Sequence, residues 1–132
     1  MIYPSSGTGA WEAALVNTLS QADRVVIFES GQFASLWSKM ATNLTLRVDV
    51  IPGDWRRGAD LNVLRAKLEA DGQHEIKAVM VVHNETSTGV KSDITAIRKR
   101  QWTRPSIRHC CWSIPFLRWL AWTTATTNGV ST

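Results

Sequence analysis

The sequence is short of the residues that build disulfide frameworks and zinc sites. Its two cysteines, Cys110 and Cys111, are adjacent, and adjacent cysteines rarely pair with each other. Without a second cysteine pair, a four-cysteine zinc site is excluded, and we predict no metal. The chain also starts without a basic segment leading into a long apolar stretch, so we predict no secretory signal. These absences together favour a cytoplasmic protein.

Long apolar runs are missing too. Residues 110–122 are mostly apolar, but Arg118 interrupts them and the segment is too short to span a bilayer, so no membrane partner is expected. Hydrophobic residues nevertheless make up 44% of the 132 residues, which favours a folded core over disorder. The length is that of one domain of ordinary size.

Acidic residues are scarce after Gly89, where Asp93 is the single one. The net charge of +4 has its surplus in this last part of the chain. The basic residues there are Lys91, Arg98, Lys99, Arg100, Arg104, Arg108 and Arg118. A basic tail that also carries tryptophans is typical of nucleic-acid binding, so a small phosphate- or nucleic-acid-binding α/β module is the alternative function. We favour a near-neutral domain with an unusual tail, and expect no nucleic-acid partner.

Apolar runs and amphipathic segments alternate along the first hundred residues. The predicted strands are 24–30, 45–51 and 76–83, and the predicted helices are one from near Ala10 that closes within 17–24, then 31–44, 59–70 and 90–100. Asp60 and Ser92 are the predicted N-caps of the last two helices. This order predicts an α/β fold, with a mostly parallel sheet covered on both faces in a three-layer sandwich.

The loop 5–9 has the composition of an anion site. It contains Gly7, Thr8 and Gly9 and leads into a helix, whose first N–H groups are unpaired and carry partial positive charge. Glycines let the backbone approach an anion and a hydroxyl can donate to it, so the pattern predicts a phosphate site. A plain helix cap is the alternative interpretation.

Two further loops follow strand ends, where parallel sheets bind ligands. The loop 83–89, "HNETSTG", groups an imidazole, an amide, a carboxylate and three hydroxyls, or else simply caps its own helix. In the loop 29–33, Phe33 is either a core residue or a ring that meets a ligand. The two arginines and the tryptophan of "GDWRRG", residues 53–58, are best explained as a solvated loop.

The segments "YPSSGTGAWEAALVNTLSQADRV", "ESGQFASLW", "IPGDWRRGADL" and "HNETSTGV" carry a resemblance to a known family. Their order and spacing resemble the serine–glyoxylate aminotransferases, in the alanine–glyoxylate branch of the class V, fold type I pyridoxal-phosphate aminotransferases. The resemblance is nearly continuous over about residues 2–99. It implies that the chain is a fragment of the large domain of such an enzyme.

The resemblance also implies roles for individual residues. Thr8, Gly9 and Ala10 match the positions that contact the phosphate of pyridoxal phosphate. Phe33 matches the aromatic ring that stacks on the pyridine ring, and Thr86 matches a hydroxyl near that ring. In the family, a lysine Schiff base on this cofactor moves an amino group from serine or alanine to glyoxylate. The partners implied are small amino-acid and 2-oxo-acid substrates and a second copy of the chain in a homodimer.

After about residue 99 the chain departs from the family pattern. The family's next strand reads like "HPALLLVDTIS", whereas residues 100–115 read "RQWTRPSIRHCCWSIP". Plausible codons for 107–115, read from the third base of the first codon, spell P-A-L-L-L-V-D-T, and those for 121–132 spell L-D-Y-R-H-D-E-W-G-V-D. We therefore expect a one-base frameshift near codons 99–101, with the family's pyridine-nitrogen aspartate hidden across the codons of Ser113 and Ile114.

The expected organisation follows from that shift. Residues 1–99 form a partial cofactor-binding large domain, and residues 100–132 form an out-of-frame, poorly structured tail. The family's N-terminal segment is expected to be missing before Met1, and its Schiff-base lysine to lie beyond the chain's end. We therefore assign no catalytic residue and expect the chain by itself to be inactive.

Overall fold

The computed structural model describes residues 6–101 and 110–112, with side-chain surroundings for residues 6–97. Four helices and six strands lie in this part of the chain. In order they are α1 (Gly7–Thr18), β1 (Arg24–Glu29), α2 (Gln32–Asn43), β2 (Arg47–Pro52), α3 (Leu61–Ala70), β3 (Ile76–Met80), β4 (Asn84–Glu85), β5 (Val90–Lys91), α4 (Ile94–Gln101) and β6 (Cys110–Trp112). Most of the tail 100–132 lies outside the described residues, so its lack of order stays a prediction.

The main sheet is parallel throughout and has the strand order β2-β1-β3-β6. In its register Val26 lies opposite Asp49 on one side and Val79 on the other. The short strands β4 and β5 form a separate antiparallel pair after β3. The central strand β1 has four successive buried residues, Val25 to Phe28, because helices cover it on both faces. The predicted α/β fold with a parallel sheet is confirmed.

Two apolar cores lie on opposite faces of the sheet. The first joins α1 and α2 to side chains of β1 and β3, with Trp37 at 0% exposure near its centre. The second joins α3 and α4 to the other face, through Leu64, Leu68 and Ile97. Neighbouring residues of β1 alternate between the two cores, as the pleat of a strand requires, so that Ile27 belongs to the first and Val26 to the second. The molecule is therefore a three-layer arrangement of helix, sheet and helix.

Helix starts differ from prediction where the capping residue was misassigned. Asp60 caps α3 as predicted, since its Oδ1 accepts from the N–H of Asn62 at 2.8 Å. Ser92 was the wrong choice for α4, because it is buried and its hydroxyl accepts from the N–H of Ala59 at 3.3 Å. Asp93 does the capping instead, with Oδ1 accepting from the N–H of Ala96 at 2.9 Å. The first helix begins at Gly7 rather than near Ala10.

Strand bounds shift where backbone geometry breaks the extended run. Strand β2 begins at Arg47 rather than residue 45, because Thr45 is left-handed with φ 63°. Strand β3 ends at Met80 instead of residue 83. The polar loop predicted at 83–89 contains strand β4, which pairs with β5 directly after the loop. Strand β6 was not predicted at all. The parallel pairing of β6 with β3 uses backbone N–H and C=O groups, which are available whatever the side chains are.

Candidate functional site

Three segments meet at the carboxyl edge of the sheet. The turn from β1 into α2 starts there, and the segment 81–91 leaves β3 there. The last residues of α1 lead into the start of β1, so the first residues of α1 lie at the opposite, carboxyl edge. Strands β1 and β3 are neighbours, yet the chain leaves them towards opposite faces, to α2 in the first core and α4 in the second. In α/β sheets, such a divergence above the carboxyl ends of the strands is where ligands bind.

The start of α1 is an exposed group of hydrogen-bond donors. The Ser6 hydroxyl caps the helix by accepting from the N–H of Gly9 at 3.4 Å, and it lies 2.7 Å from the hydroxyl of Thr8. The N–H groups of Gly7 and Thr8 have no partner among the described residues. The first turn carries no acidic residue. The cap predicted as the alternative is thus present, and donors remain beside it that suit an anion.

The start of α2 is closed by two side chains from the loop after β3. The Glu85 carboxylate accepts from the N–H of Phe33 at 3.3 Å and of Ala34 at 3.1 Å. The Ser87 hydroxyl accepts from the N–H of Gln32 at 3.1 Å and donates to Glu85 at 2.6 Å. The first three N–H groups of α2 are therefore satisfied from within the chain, and this helix start has no room for a ligand anion.

Glu85 is the site residue whose role sequence analysis missed. The loop 83–89 was expected, in one interpretation, to cap its own helix, but its carboxylate caps α2 from more than fifty residues away. A signal for this exists in the sequence. The N-cap of α2 is Gly31, which has no side chain to accept a hydrogen bond, so the helix needs an acceptor from another element.

Phe33 lies between the starts of α1 and α2. Its ring is half-buried and meets Trp11 edge-on, with ring centroids 6.2 Å apart and an interplanar angle of 76°. Trp11 in turn stacks on Trp37 at 5.2 Å. Phe33 therefore packs at the border of the first core, as the plain alternative predicted, while part of its ring stays accessible at the carboxyl edge. The contact through Trp11 brings Phe33 into the neighbourhood of Thr8, Gly9 and Ala10.

Thr86 is exposed on the loop that Glu85 and Ser87 anchor. Its hydroxyl makes no hydrogen bond among the described residues. The loop is closed by Gly89, which has φ 74° and donates its N–H to the carbonyl of Glu85 at 2.8 Å. The Thr88 hydroxyl donates to the carbonyl of Ser30 at 3.3 Å, a second link between this loop and the turn after β1.

The loop 53–58 approaches the same edge and is solvated, in line with the interpretation favoured for it. A Cβ on Gly53 would lie 2.5 Å from the carbonyl oxygen of Glu29, so the loop touches the end of β1. Asp54 Oδ1 accepts from the N–H of Arg56 at 3.0 Å and of Arg57 at 3.2 Å. The bond from Arg56 is the main cause that lowers the pKa of Asp54 from its ordinary 3.8. Both arginine side chains are exposed.

Neither metal chemistry nor a membrane span is supported by the described residues. Among them no group of three or more histidine, cysteine or acidic side chains is placed to hold a metal ion. Within the same part of the chain no helix is long and apolar enough to cross a bilayer. The candidate site consists instead of hydroxyls, backbone N–H groups and one accessible aromatic ring.

A family model and several known proteins match most of this chain. The sequence model for aminotransferase class-V matches residues 1–107. The chain is 54% identical over 97 residues to the serine–glyoxylate aminotransferase of Arabidopsis thaliana, covering 74% of this chain and 24% of that protein. It is 53% identical over 98 residues to the serine–glyoxylate aminotransferase of Methylorubrum extorquens, with the same two coverages of 74% and 24%.

A solved aminotransferase structure has a similar fold. The alanine–glyoxylate aminotransferase of Nostoc sp. superposes with a TM-score of 0.62 at 30% identity, over 72% of this chain and 26% of that one. The chain thus spans about a quarter of the length of the curated relatives it matches.

Proposed function

The chain belongs to the class-V aminotransferase family, and from that membership we propose that it is part of a pyridoxal-phosphate transaminase that moves an amino group from serine or alanine to glyoxylate. One observation carries the proposal. The start of α1 is an open set of donors next to an accessible aromatic ring, whereas the neighbouring start of α2 is already closed by Glu85. A phosphate attached to a flat ring is the ligand chemistry that such a pair of features suits.

The residues present fit this cofactor. The first turn of α1, which contains Thr8, Gly9 and Ala10, would hold the phosphate through the unpaired N–H groups of Gly7 and Thr8 and through the Thr8 hydroxyl. Phe33 would cover one face of the pyridine ring, and the free Thr86 hydroxyl would bond near it. When bound, pyridoxal phosphate supplies the electron sink for amino transfer, while these residues bind and orient it.

Two of the described lysines support the proposal that this chain alone is inactive. Lys67 lies 3.5 Å from the carboxylate of Asp49, and Lys77 donates to the carbonyl of His74 at 3.3 Å, so both are engaged away from the carboxyl edge. Neither matches the position of the family's Schiff-base lysine. The expected test is incubation with pyridoxal phosphate, borohydride reduction and mass spectrometry. We predict no attachment to one specific lysine, and such an attachment would contradict inactivity.

We further propose the division into an in-frame domain over 1–99 and an out-of-frame tail over 100–132. The matches to the two serine–glyoxylate aminotransferases extend over 97 and 98 residues, close to the length of the in-frame part, which supports the division, whereas the family model continues to residue 107. A homodimer is the proposed assembly. This assembly is proposed from the family resemblance.

Phosphate binding at α1 is tested with Thr8→Val and a matched control. The control is Thr18→Val, which changes the same side chain at the far end of the same helix, where its hydroxyl bonds to Ala14. The hydrogen bond lost at Thr8 is charge-assisted, so we expect Thr8→Val to weaken inorganic phosphate and pyridoxal phosphate about tenfold. Thr18→Val should bind both as the wild type does. Equal binding by the two variants, measured by calorimetry, would remove α1 as the phosphate site.

A further inference from the structure

We propose that Glu85 is a positioning residue, whose buried carboxylate holds Phe33 in place for the cofactor ring. The inference rests on the proposed function, because it concerns the ring that Phe33 would cover. Its starting observation is a carboxylate with 0% exposure at the carboxyl edge, in a loop where polar side chains are otherwise exposed or half-buried. Acidic side chains are rarely buried so completely without a specific set of partners.

The partners of Glu85 are all hydrogen-bond donors. Oε1 accepts from the N–H of Phe33 at 3.3 Å, from the Ser87 hydroxyl at 2.6 Å and from the Ser87 N–H at 3.4 Å. Oε2 accepts from the N–H of Ala34 at 3.1 Å. Both oxygens of the carboxylate accept hydrogen bonds, and the dipole at the start of α2 favours an acceptor there. An amide in its place would turn an NH₂ group towards one of these donors.

The carboxylate is packed tightly between Gly31 and Ser87. A Cβ on Gly31 would lie 2.4 Å from Cγ and 2.6 Å from Cδ of Glu85, so the side chain rests directly against the glycine backbone. Ser87 closes the other side by bonding both Glu85 and the N–H of Gln32. Because the N–H of Phe33 is bonded to this carboxylate, the backbone from which the Phe33 ring extends is held in place.

Glu85 does not take part in the start of α1, where the phosphate would bind. Its hydrogen bonds go to α2 and to its own loop. The geometry therefore separates two contributions to cofactor affinity. Loss of the carboxylate should weaken the ring contribution and leave the phosphate contribution unchanged.

The test compares Glu85→Gln with the wild-type chain, using pyridoxal phosphate and inorganic phosphate as separate probes in calorimetry. We expect pyridoxal phosphate to bind about tenfold more weakly, and inorganic phosphate to bind within about twofold of the wild type. In a Phe33→Leu background, Glu85→Gln should then change pyridoxal phosphate affinity by less than about twofold, because the effect acts through Phe33. Amide ¹⁵N–¹H spectra of the ligand-free chain should show the Phe33 and Ala34 signals moving.

Each outcome decides the proposal. Equal affinity of Glu85→Gln and wild type for pyridoxal phosphate overturns the positioning role and leaves the proposed function intact. The same conclusion follows if Glu85→Gln weakens pyridoxal phosphate as much in the Phe33→Leu background as in the wild type. Failure of the wild type to bind pyridoxal phosphate overturns the proposed function and the positioning role with it. If Glu85→Gln does not fold, Ser87→Ala replaces it. Ser87 is exposed, and losing its bonds to Glu85 and Gln32 should weaken pyridoxal phosphate about threefold, whereas unchanged affinity overturns the proposal.

Discussion

Replacing Gly31 by alanine tests the closed packing between α2 and the loop after β3. The backbone of Gly31, at φ 164° and ψ −165°, is extended, so alanine adds no strain of its own. The added Cβ would however lie 2.4 Å from Cγ of Glu85 and 2.8 Å from the hydroxyl of Ser87. Real Cβ atoms do not approach other atoms so closely. Either the carboxylate or the backbone must shift.

The cost follows from two opposing effects. Overpacking a tight site destabilises by about 1–3 kcal/mol. Replacing glycine by alanine also restricts the unfolded chain, which returns about 0.4–1 kcal/mol. We therefore expect Gly31→Ala to lower the free energy of unfolding by about 1–2 kcal/mol. The matched control is Gly72→Ala, where the new Cβ would meet no atom within 4 Å and the same backbone effect should leave stability unchanged or slightly raised.

Urea unfolding followed by far-UV circular dichroism measures both variants. With a slope of about 1–3 kcal/mol per molar urea, the two midpoints should differ by about 1 M, with Gly31→Ala the lower. Equal midpoints would refute the close contact between Gly31 and Glu85. A lower midpoint for Gly72→Ala alone would contradict the expectation that replacing glycine by alanine stabilises the protein by restricting the unfolded chain.

Three further results are expected. The hydrogen bond from the N–H of Arg56 lowers the pKa of Asp54 from its ordinary 3.8, so the amide signals of Arg56 and Arg57 should move in an acid titration with a midpoint below pH 3.8, as the protonated carboxyl loses these hydrogen bonds. An NMR titration with a midpoint at or above 3.8 contradicts this. Trp37→Ala should cost about 3–5 kcal/mol of unfolding free energy, because Trp37 is 0% exposed, and a loss below about 1 kcal/mol in urea unfolding would contradict its central place in the core. Asp60→Ala should cost about 1 kcal/mol by removing a helix cap, and unchanged thermal stability would count against that cap.

The fold was predictable because its signals are local. The run of apolar residues in β1 and the helical spacing of α3 each reflect burial within one element, and Asp60 caps the helix that it precedes. Leu36 follows the helical spacing of α2 but is 41% exposed, because α2 buries only a narrow stripe around Ala34, Trp37 and Ala41. Local spacing predicts that a helix forms but does not predict how wide its buried face is.

The candidate site was predictable only in part. The donors at α1 and the accessible ring of Phe33 lie in segments that the sequence had singled out, and their cofactor roles stay predictions. The role of Glu85 depends on a partner more than fifty residues away, so no local pattern contains it. Ser92 misled the prediction for the same reason, since its hydroxyl serves Ala59 in another element rather than the helix that follows it.

The most direct test of the account is an ¹⁵N–¹H titration of the wild-type chain with pyridoxal phosphate. The account predicts that the largest shifts fall on the amides of Gly7, Thr8 and Gly9, with a second group at Phe33 and Thr86, and that inorganic phosphate reproduces the first group alone. Shifts confined to the basic residues after Gly89, or no shifts at millimolar ligand, would contradict it.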